Sequence, residues 1–161
     1  MNMKYRVGLG FDVHELKADV PLFLGGVPIP GDRGAVGHSD ADVLLHAVCD
    51  ALLGAAGLRD IGFHFSNKDQ RWRNADSKIF LTQVMAMIRE KGWSVENLDC
   101  TITLEAPKVN PHVDAMKETM AAIIGITAED ISVKATTNEG MGYVGRGEGI
   151  NAMAVVLISK S

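Results

Sequence analysis

No apolar run in this sequence approaches the 18 or so residues that a bilayer-spanning helix needs, so no membrane segment is expected. The N-terminal stretch MNMKYRVGLG likewise has no apolar core of the roughly 7–15 residues typical of a secretory signal. Positive charge is in short supply. Sixteen Lys and Arg stand against twenty Asp and Glu, the formal charge is −4 and the pI is near 5.7. Sequence-independent nucleic-acid binding needs a basic face that displaces counterions from phosphate, and this balance argues against it. A small phosphorylated substrate is still allowed, because a few local cations or a metal ion suffice to hold it. The two cysteines, Cys49 and Cys100, form no C-x-x-C pair and read as buried thiols of a cytoplasmic protein rather than a disulfide. Repeats, low-complexity tracts and linkers are all missing, which leaves one domain over residues 1–161. With 47% apolar and 22% charged residues the chain is compositionally globular, and at its length it buries roughly 70% of its unfolded surface.

Hydrophobic periodicity divides the chain into alternating strands and helices. Tyr5, Val7, Leu9, Phe11 and Val13 alternate with polar residues and glycines, predicting a strand over residues 4–13. Residues 21–30 read as a hairpin turning on Gly25-Gly26, and residues 31–38 as irregular. A helix is expected from Ser39 or Asp40 to about Ala56, its apolar stripe running Val43, Leu44, Ala47, Val48, Ala51, Leu52 and Ala55 and Gly57 ending it. Residues 58–75 read as a loop. Asp76 caps a second helix that stops at Gly92, residues 95–105 form a strand, and Asn110-Pro111 opens a third helix to about Ile124. Residues 131–137 and 150–158 are strands, separated by a segment rich in glycine. The expected fold is an α/β domain, a mixed β-sheet with helices packed on one face.

Chemistry concentrates at Asp12-x-His14 and at His46. Residues i and i+2 of a strand share a face, so Asp12 and His14 can converge on one ion with His46 from the helix. One carboxylate and two imidazoles suit Zn²⁺ with a fourth position left open. Asp42, one helical turn before His46, is placed to accept the second imidazole N–H and fix the tautomer. Spacing alone also fits ordinary polar residues. His38-Ser39-Asp40 reads equally as a helix cap and as an anion cradle at a helix N-terminus.

Gly8-Leu9-Gly10 begins like a dinucleotide fingerprint but lacks its third glycine and its helix. Better phosphate candidates are Thr136-Thr137-Asn138-Glu139, with hydroxyls beside a hard oxygen ligand for Mg²⁺, and Arg146 among glycines. A flexible hairpin loop explains the same residues. Ala106-Pro107-Lys108 can present backbone amides and one cation to a base or a diphosphate, or can be loop scaffolding. His64 and His112 read as packing or surface residues.

Taken together the motifs G-x-G-x-D-V-H at 8–14, L-G-G-V-x-I-P at 24–30, H-S-D-x-D-V-x-L-H-A running to D-I-G at 38–62, A-P-K at 106–108 and K-A-T-T-x-E running to G-R-G-E-G-I at 134–150 resemble the 2-C-methyl-D-erythritol 2,4-cyclodiphosphate synthase family. The resemblance implies a homotrimer with active sites between neighbouring subunits and a CDP-linked substrate. It implies Zn²⁺ on Asp12, His14 and His46, phosphate-polarising roles for His38 and Thr137, and Mg²⁺ or Mn²⁺ on Glu139. Asp60, Ile61 and Gly62 match the triplet that meets the erythritol part. Ser39 falls in a matched stretch, while Phe65 and Asp69 bound the stretch Phe65-Ser66-Asn67-Lys68-Asp69 that stands where the family often has Phe-Pro-Asp-Thr-Asp; all three are counted with the substrate site. The cytidine diphosphate would lie along residues 104–110, including Ala106, Pro107 and Lys108, and along Thr136 to Glu139. Tyr143 and Arg146 fall where the family lines its site and central channel. The chain departs from the family at Asn67, where an Asp is common and the negative charge is missing.

Overall fold

The computed structural model describes residues 3–161. Five strands, β1 (Lys4–Ala18), β4 (Arg33–Val36), β5 (Ser94–Thr103), β6 (Ile131–Thr136) and β7 (Gly149–Lys160), form one sheet in the order β4-β1-β7-β5-β6. The β5–β6 pair is parallel and the other pairs are antiparallel, so the sheet is mixed as expected. β2 (Leu22–Leu24) and β3 (Val27–Ile29) make the separate hairpin, with Leu24 paired to Val27. Both turn residues have positive φ, 61° at Gly25 and 77° at Gly26, which is the twist-matched conformation that glycine adopts without steric cost.

Helices α1 (Val43–Ala56), α3 (Ser77–Glu90) and α4 (Val113–Ile124) cover one face, with single turns α2 (Ile61–His64) and α5 (Gly142–Gly145) in the connections. β1 runs on to Ala18, and Asn110–His112 form a 3-10 turn before α4 begins at Val113, where the sequence suggested an earlier strand end and helix start. Three further boundaries also differ from expectation. α1 starts at Val43 because Asp42, not Ser39 or Asp40, is its cap. The segment 31–38 contains β4, recruited by pairing with the end of β1. The 58–75 segment contains α2 and a 3-10 turn (Gln70–Trp72), each begun by an aspartate side chain that accepts a backbone N–H.

The inner face of the sheet carries Ile150, Ala152, Ala154, Val156 and Ile158 of β7 and Leu98, Cys100 and Ile102 of β5, all buried. On β1 the inner positions are Gly8 and Gly10. A Cβ at Gly8 would lie 1.9 Å from the Ala51 carbonyl oxygen, and one at Gly10 would lie 1.8 Å from that of Ala47. The G-L-G pair therefore lets α1 rest directly on the strand backbone. That close approach sets His46, the neighbour of Ala47, beside the side chains of β1. Leu44, Leu45, Leu52 and Leu53 on α1 are fully buried, each contributing about 2 kcal/mol of hydrophobic stabilisation. Met116 and Met120 of α4 also fill the core, as their spacing suggests. Cys49 and Cys100 are free and buried, and burial pushes the Cys100 thiol up to about 12.

The apolar alternation of β1 points the other way. Tyr5, Val7, Leu9, Phe11 and Val13 lie on the face no helix covers and are 45–67% exposed, joined by Met153 and Val155 of β7. No helix of the described residues is long and apolar enough to cross a membrane.

Candidate active site

Asp12 and His14 point from β1 toward α1, two residues apart on one face, and meet His46 of the helix. His14 Nε2 lies 3.0 Å from Asp12 Oδ2, His46 Nδ1 lies 3.1 Å from the same oxygen, and the two imidazole nitrogens are 3.1 Å apart. Three donors at the corners of a near-equilateral triangle are what a metal ion requires. Ligands roughly 2.0–2.1 Å from a tetrahedral zinc are themselves about 3.3 Å apart. The donor set fits such an ion with little movement, and among the described residues this is the one group of three or more His, Cys, Asp or Glu side chains so arranged. Burial alone would raise the Asp12 carboxyl, but hydrogen bonds and charge from His14 and His46 hold it down at about 2. Burial also opposes a charge on His46, yet the Asp12 carboxylate outweighs it and raises that imidazole above its ordinary range.

The outer nitrogen of His46 departs from what the spacing predicts. Asp42 does not receive it. The Asp42 carboxylate is fully buried and accepts three backbone N–H groups, from Gly25 (3.0 Å), Gly26 (2.7 Å) and Leu45 (3.0 Å). At a helix N-terminus the side chain turns back to cap its own first turn, and here it also captures the β2–β3 hairpin. Burial raises its pKa, opposed by the N–H groups of Leu45 and Gly26. His46 Nε2 instead meets Ser77 Oγ at 2.8 Å and Ser39 Oγ at 3.2 Å. The Ser77 hydroxyl donates to the Asp40 carboxylate, so its oxygen is left to accept from His46 Nε2–H. Nδ1 is thereby the nitrogen turned toward Asp12 and His14. The Asp40–Ser77 pair is hidden in the sequence because both residues read as helix-capping chemistry, and Asp40 does hold the Ser77 N–H at 2.9 Å.

The segment carrying His38 runs past this cluster. A Cβ on Gly37 would stand 3.1 Å from the His14 ring, and Ser39 touches His46. His38 Nε2 lies 3.2 Å from the Asp69 carbonyl oxygen. The Asp69 carboxylate is gripped by Arg71 at 2.9 and 2.6 Å, which lowers its pKa. Asp60 caps α2 through the Phe63 N–H, and Ile61 N–H donates to Asp50 on α1 at 2.7 Å, so Asp60-Ile61-Gly62 is anchored at both ends. Phe65 is 5% exposed, its ring packed against Phe80 and Trp72. His64 is a packing residue, with its Nε2 2.8 Å from the Leu58 carbonyl oxygen.

A second cluster sits across the sheet. Thr137 and Glu139 are exposed on the loop after β6, with Thr137 Oγ1 3.4 Å from a Glu139 carboxylate oxygen. Beside them a recess of about 250 Å³ is lined by residues that include Leu104, Glu105, Pro107, Lys108, Val109, Thr136 and Thr137. Val13, Asn151, Thr103 and Thr136 are lateral partners in register, so three strand spacings of roughly 4.8 Å separate β1 at Val13 from the end of β6. The two clusters thus stand on strands roughly 14 Å apart within one chain. Tyr143 accepts a hydrogen bond from Asn151 at 2.9 Å, and Arg146 is held by Glu148 at 2.9 and 3.0 Å.

The chain is similar to known proteins over nearly its whole length. The model of the YgbB family matches residues 5–159. A 2-C-methyl-D-erythritol 2,4-cyclodiphosphate synthase from Cytophaga hutchinsonii is 56% identical over 158 residues, covering 98% of this chain and 99% of that protein. Among solved structures, the bifunctional IspDF from Campylobacter jejuni superposes with a TM-score of 0.95 at 38% identity, over 99% of this chain and 43% of that one. A 2C-methyl-D-erythritol-2,4-cyclodiphosphate synthase in its CDP-bound form gives 0.88 at 37% identity, over 95% and 99% of the two chains. The chain belongs to the YgbB family, together with these cyclodiphosphate synthases.

Proposed function

We propose that this protein converts 4-diphosphocytidyl-2-C-methyl-D-erythritol 2-phosphate into 2-C-methyl-D-erythritol 2,4-cyclodiphosphate with release of CMP. The observation that carries the reading is the Asp12, His14, His46 triangle in a chain so similar to cyclodiphosphate synthases over its whole length. The 2-phosphate of the substrate attacks the β-phosphorus; its bond to the bridging oxygen breaks, and CMP leaves with the electron pair. Anion attack on anion is opposed by charge, so the protein must supply cancellation and alignment rather than a strong base. The chemistry needs no side-chain nucleophile.

Zn²⁺ on Asp12, His14 and His46 would supply a Lewis acid for the β-phosphate, and Mg²⁺ or Mn²⁺ on Glu139 would offset charge on the diphosphate. His38 and Thr137 donate hydrogen bonds to phosphate oxygens, with Ser39 beside His46. Asp60, Ile61 and Gly62 fix the erythritol, Phe65 and Asp69 border it, and Tyr143 and Arg146 line the outer part of the site. The recess beside Lys108 suits a pyrimidine, with Ala106 and Pro107 offering backbone contacts. Thr136 holds the diphosphate end.

The assembly in this reading is a homotrimer in which the metal cluster of one subunit faces the Thr137 and Glu139 cluster of the next. Two features support it: the uncovered apolar face of Val7, Leu9, Phe11 and Val13, and the separation of the clusters within one chain. The species in sedimentation should have three times the chain mass of 17.3 kDa. A fully active monomer would rule out shared sites. Product analysis by phosphorus NMR tests the chemistry. A cyclic diphosphate with CMP is expected, whereas inorganic phosphate or a ring-opened product would make the protein a metal-dependent hydrolase.

A further inference from the structure

Glu105 lies just past the end of β5, immediately before Ala106, Pro107 and Lys108. Its side chain reaches across to the loop after β6. One carboxylate oxygen accepts the Asn138 N–H at 2.8 Å and the Gly140 N–H at 3.3 Å, the two amides that flank Glu139. The turn it grips is unusual. Met141 N–H closes onto the Asn138 carbonyl at 2.9 Å, and both central residues have positive φ, 53° at Glu139 and 73° at Gly140. That is a type I′ turn, whose first central position favours Asn, Asp or Gly; a glutamate there pushes its Cβ against the backbone. An acceptor set among the amides of such a turn holds the conformation that the glutamate alone disfavours. The two loops are also tied by the Leu104 N–H to the Thr136 carbonyl at 3.0 Å, leaving Glu105 as the side-chain link between them.

We infer that Glu105 is a positioning residue for the reaction: by clamping the 138–140 turn it aims the Glu139 carboxylate and couples the nucleotide recess to the ion-binding turn. The inference rests on the reading of Glu139 as the ligand of the substrate-bound divalent ion. Without the clamp, Glu139 relaxes out of the left-handed region and its carboxylate swings away, while the fold and the Asp12 cluster stay as they are and the recess loses only the Glu105 part of its wall.

The test compares Glu105→Ala, Glu105→Asp and Glu105→Gln with Glu139→Gln in the full-length protein. Two quantities are measured: turnover against Mg²⁺ concentration, and CDP affinity by calorimetry with and without Mn²⁺, with zinc content and melting temperature alongside. Glu105→Ala loses the acceptor, and Glu105→Asp is one methylene too short to reach both amides. Each should need at least about tenfold more Mg²⁺ for half-maximal turnover and should lose most of the gain in CDP affinity that Mn²⁺ gives the wild type. CDP affinity without Mn²⁺ should change less than about threefold. Glu105→Gln keeps the acceptor oxygen and should recover most of the wild-type ion requirement. A wild-type requirement in both Glu105→Ala and Glu105→Asp overturns the inference when Glu139→Gln does shift it. Impairment of Glu105→Gln equal to that of Glu105→Ala also overturns it, because charge and not hydrogen bonding would then be at work. If Glu139→Gln leaves the ion requirement untouched, the reading of Glu139 fails first and the positioning role falls with it.

Discussion

Asp12, His14 and His46 are set on a 15-residue strand and a 14-residue helix, whereas Thr137 and Glu139 ride on an exposed turn after a short strand. In the first cluster the donors are held from behind: His46 by Ser77 and Ser39, and Asp12 by the two imidazoles it lies between. In the second, Thr137 and Glu139 lean on each other at 3.3 and 3.4 Å, and the neighbouring Asn138 and Gly140 amides donate to one carboxylate, that of Glu105. The difference fits two kinds of ion. A resident ion needs donors fixed before it arrives, and rigid elements fix them. An ion that comes and goes with a diphosphate needs one hard carboxylate and room for phosphate oxygens and water.

Breaking the rigid cluster should have the largest effect. His46→Ala removes one of the three donors that the described residues bring together. Tightly held metal should fall to less than about a tenth of the wild-type content, and turnover by about a thousandfold, equivalent to about 4 kcal/mol in the barrier. Circular dichroism should show the fold retained. Full metal occupancy in the variant would remove His46 from the site.

The exposed cluster should be more forgiving. Glu139→Gln should leave the tightly held metal unchanged and cut turnover about a hundredfold at low Mg²⁺, the range seen when one preorganised charge contact is lost. Raising Mg²⁺ or Mn²⁺ should restore part of it, because the phosphates remain as ligands. Loss of the tightly held metal in this variant, or wild-type turnover at low Mg²⁺, would erase the distinction between the clusters.

Much of this contrast is legible in the amino-acid sequence. The i, i+2 spacing of Asp12 and His14 on a strand puts both on one face, and the caps at Asp76 and Gly57 and the Gly25-Gly26 turn stand where local chemistry puts them. What is not legible is hidden for physical reasons. Alternation along β1 says only that its two faces differ; it does not say that the glycine face is the buried one, because that depends on α1 seating on the backbone. β4 carries too short a pattern to stand out and owes its existence to its partner. Four-residue spacing suggests that Asp42 reaches His46. The unsatisfied N–H of Leu45 in the first helical turn and two hairpin amides compete for the carboxylate and win. Ser77 is distant in sequence from His46 and Asp40, the residues it serves.

Ser77 therefore sharpens the comparison at intermediate scale. Ser77→Ala removes the acceptor of His46 Nε2–H and leaves the three donors in place. Metal affinity, measured by competition with a chelator, should drop about tenfold, the lower range for groups that orient a ligand imidazole. No change would mean that Ser39, at 3.2 Å from the same nitrogen, suffices alone.

Asp42→Asn should perturb the metal cluster least while costing the fold most clearly. Asp42 and His46 are one turn apart, so a role for Asp42 in orienting the imidazole predicts weaker metal binding in this variant. The observed bonds predict otherwise. The carboxylate of Asp42 accepts from Gly25 and Leu45 with one oxygen and from Gly26 with the other. An amide supplies one oxygen and one NH₂, so whichever way it turns, a donor faces a buried backbone donor. Removing a charged acceptor from such a bond and leaving its partner unsatisfied costs about 2 kcal/mol. The neutral amide recovers part of this, because burial already disfavours the charge on Asp42. Denaturant unfolding of metal-free protein should thus show a loss of about 1–2 kcal/mol, with metal affinity of the folded variant within about threefold of wild type. A tenfold loss of affinity with unchanged stability would reverse the assignment and return Asp42 to the metal cluster.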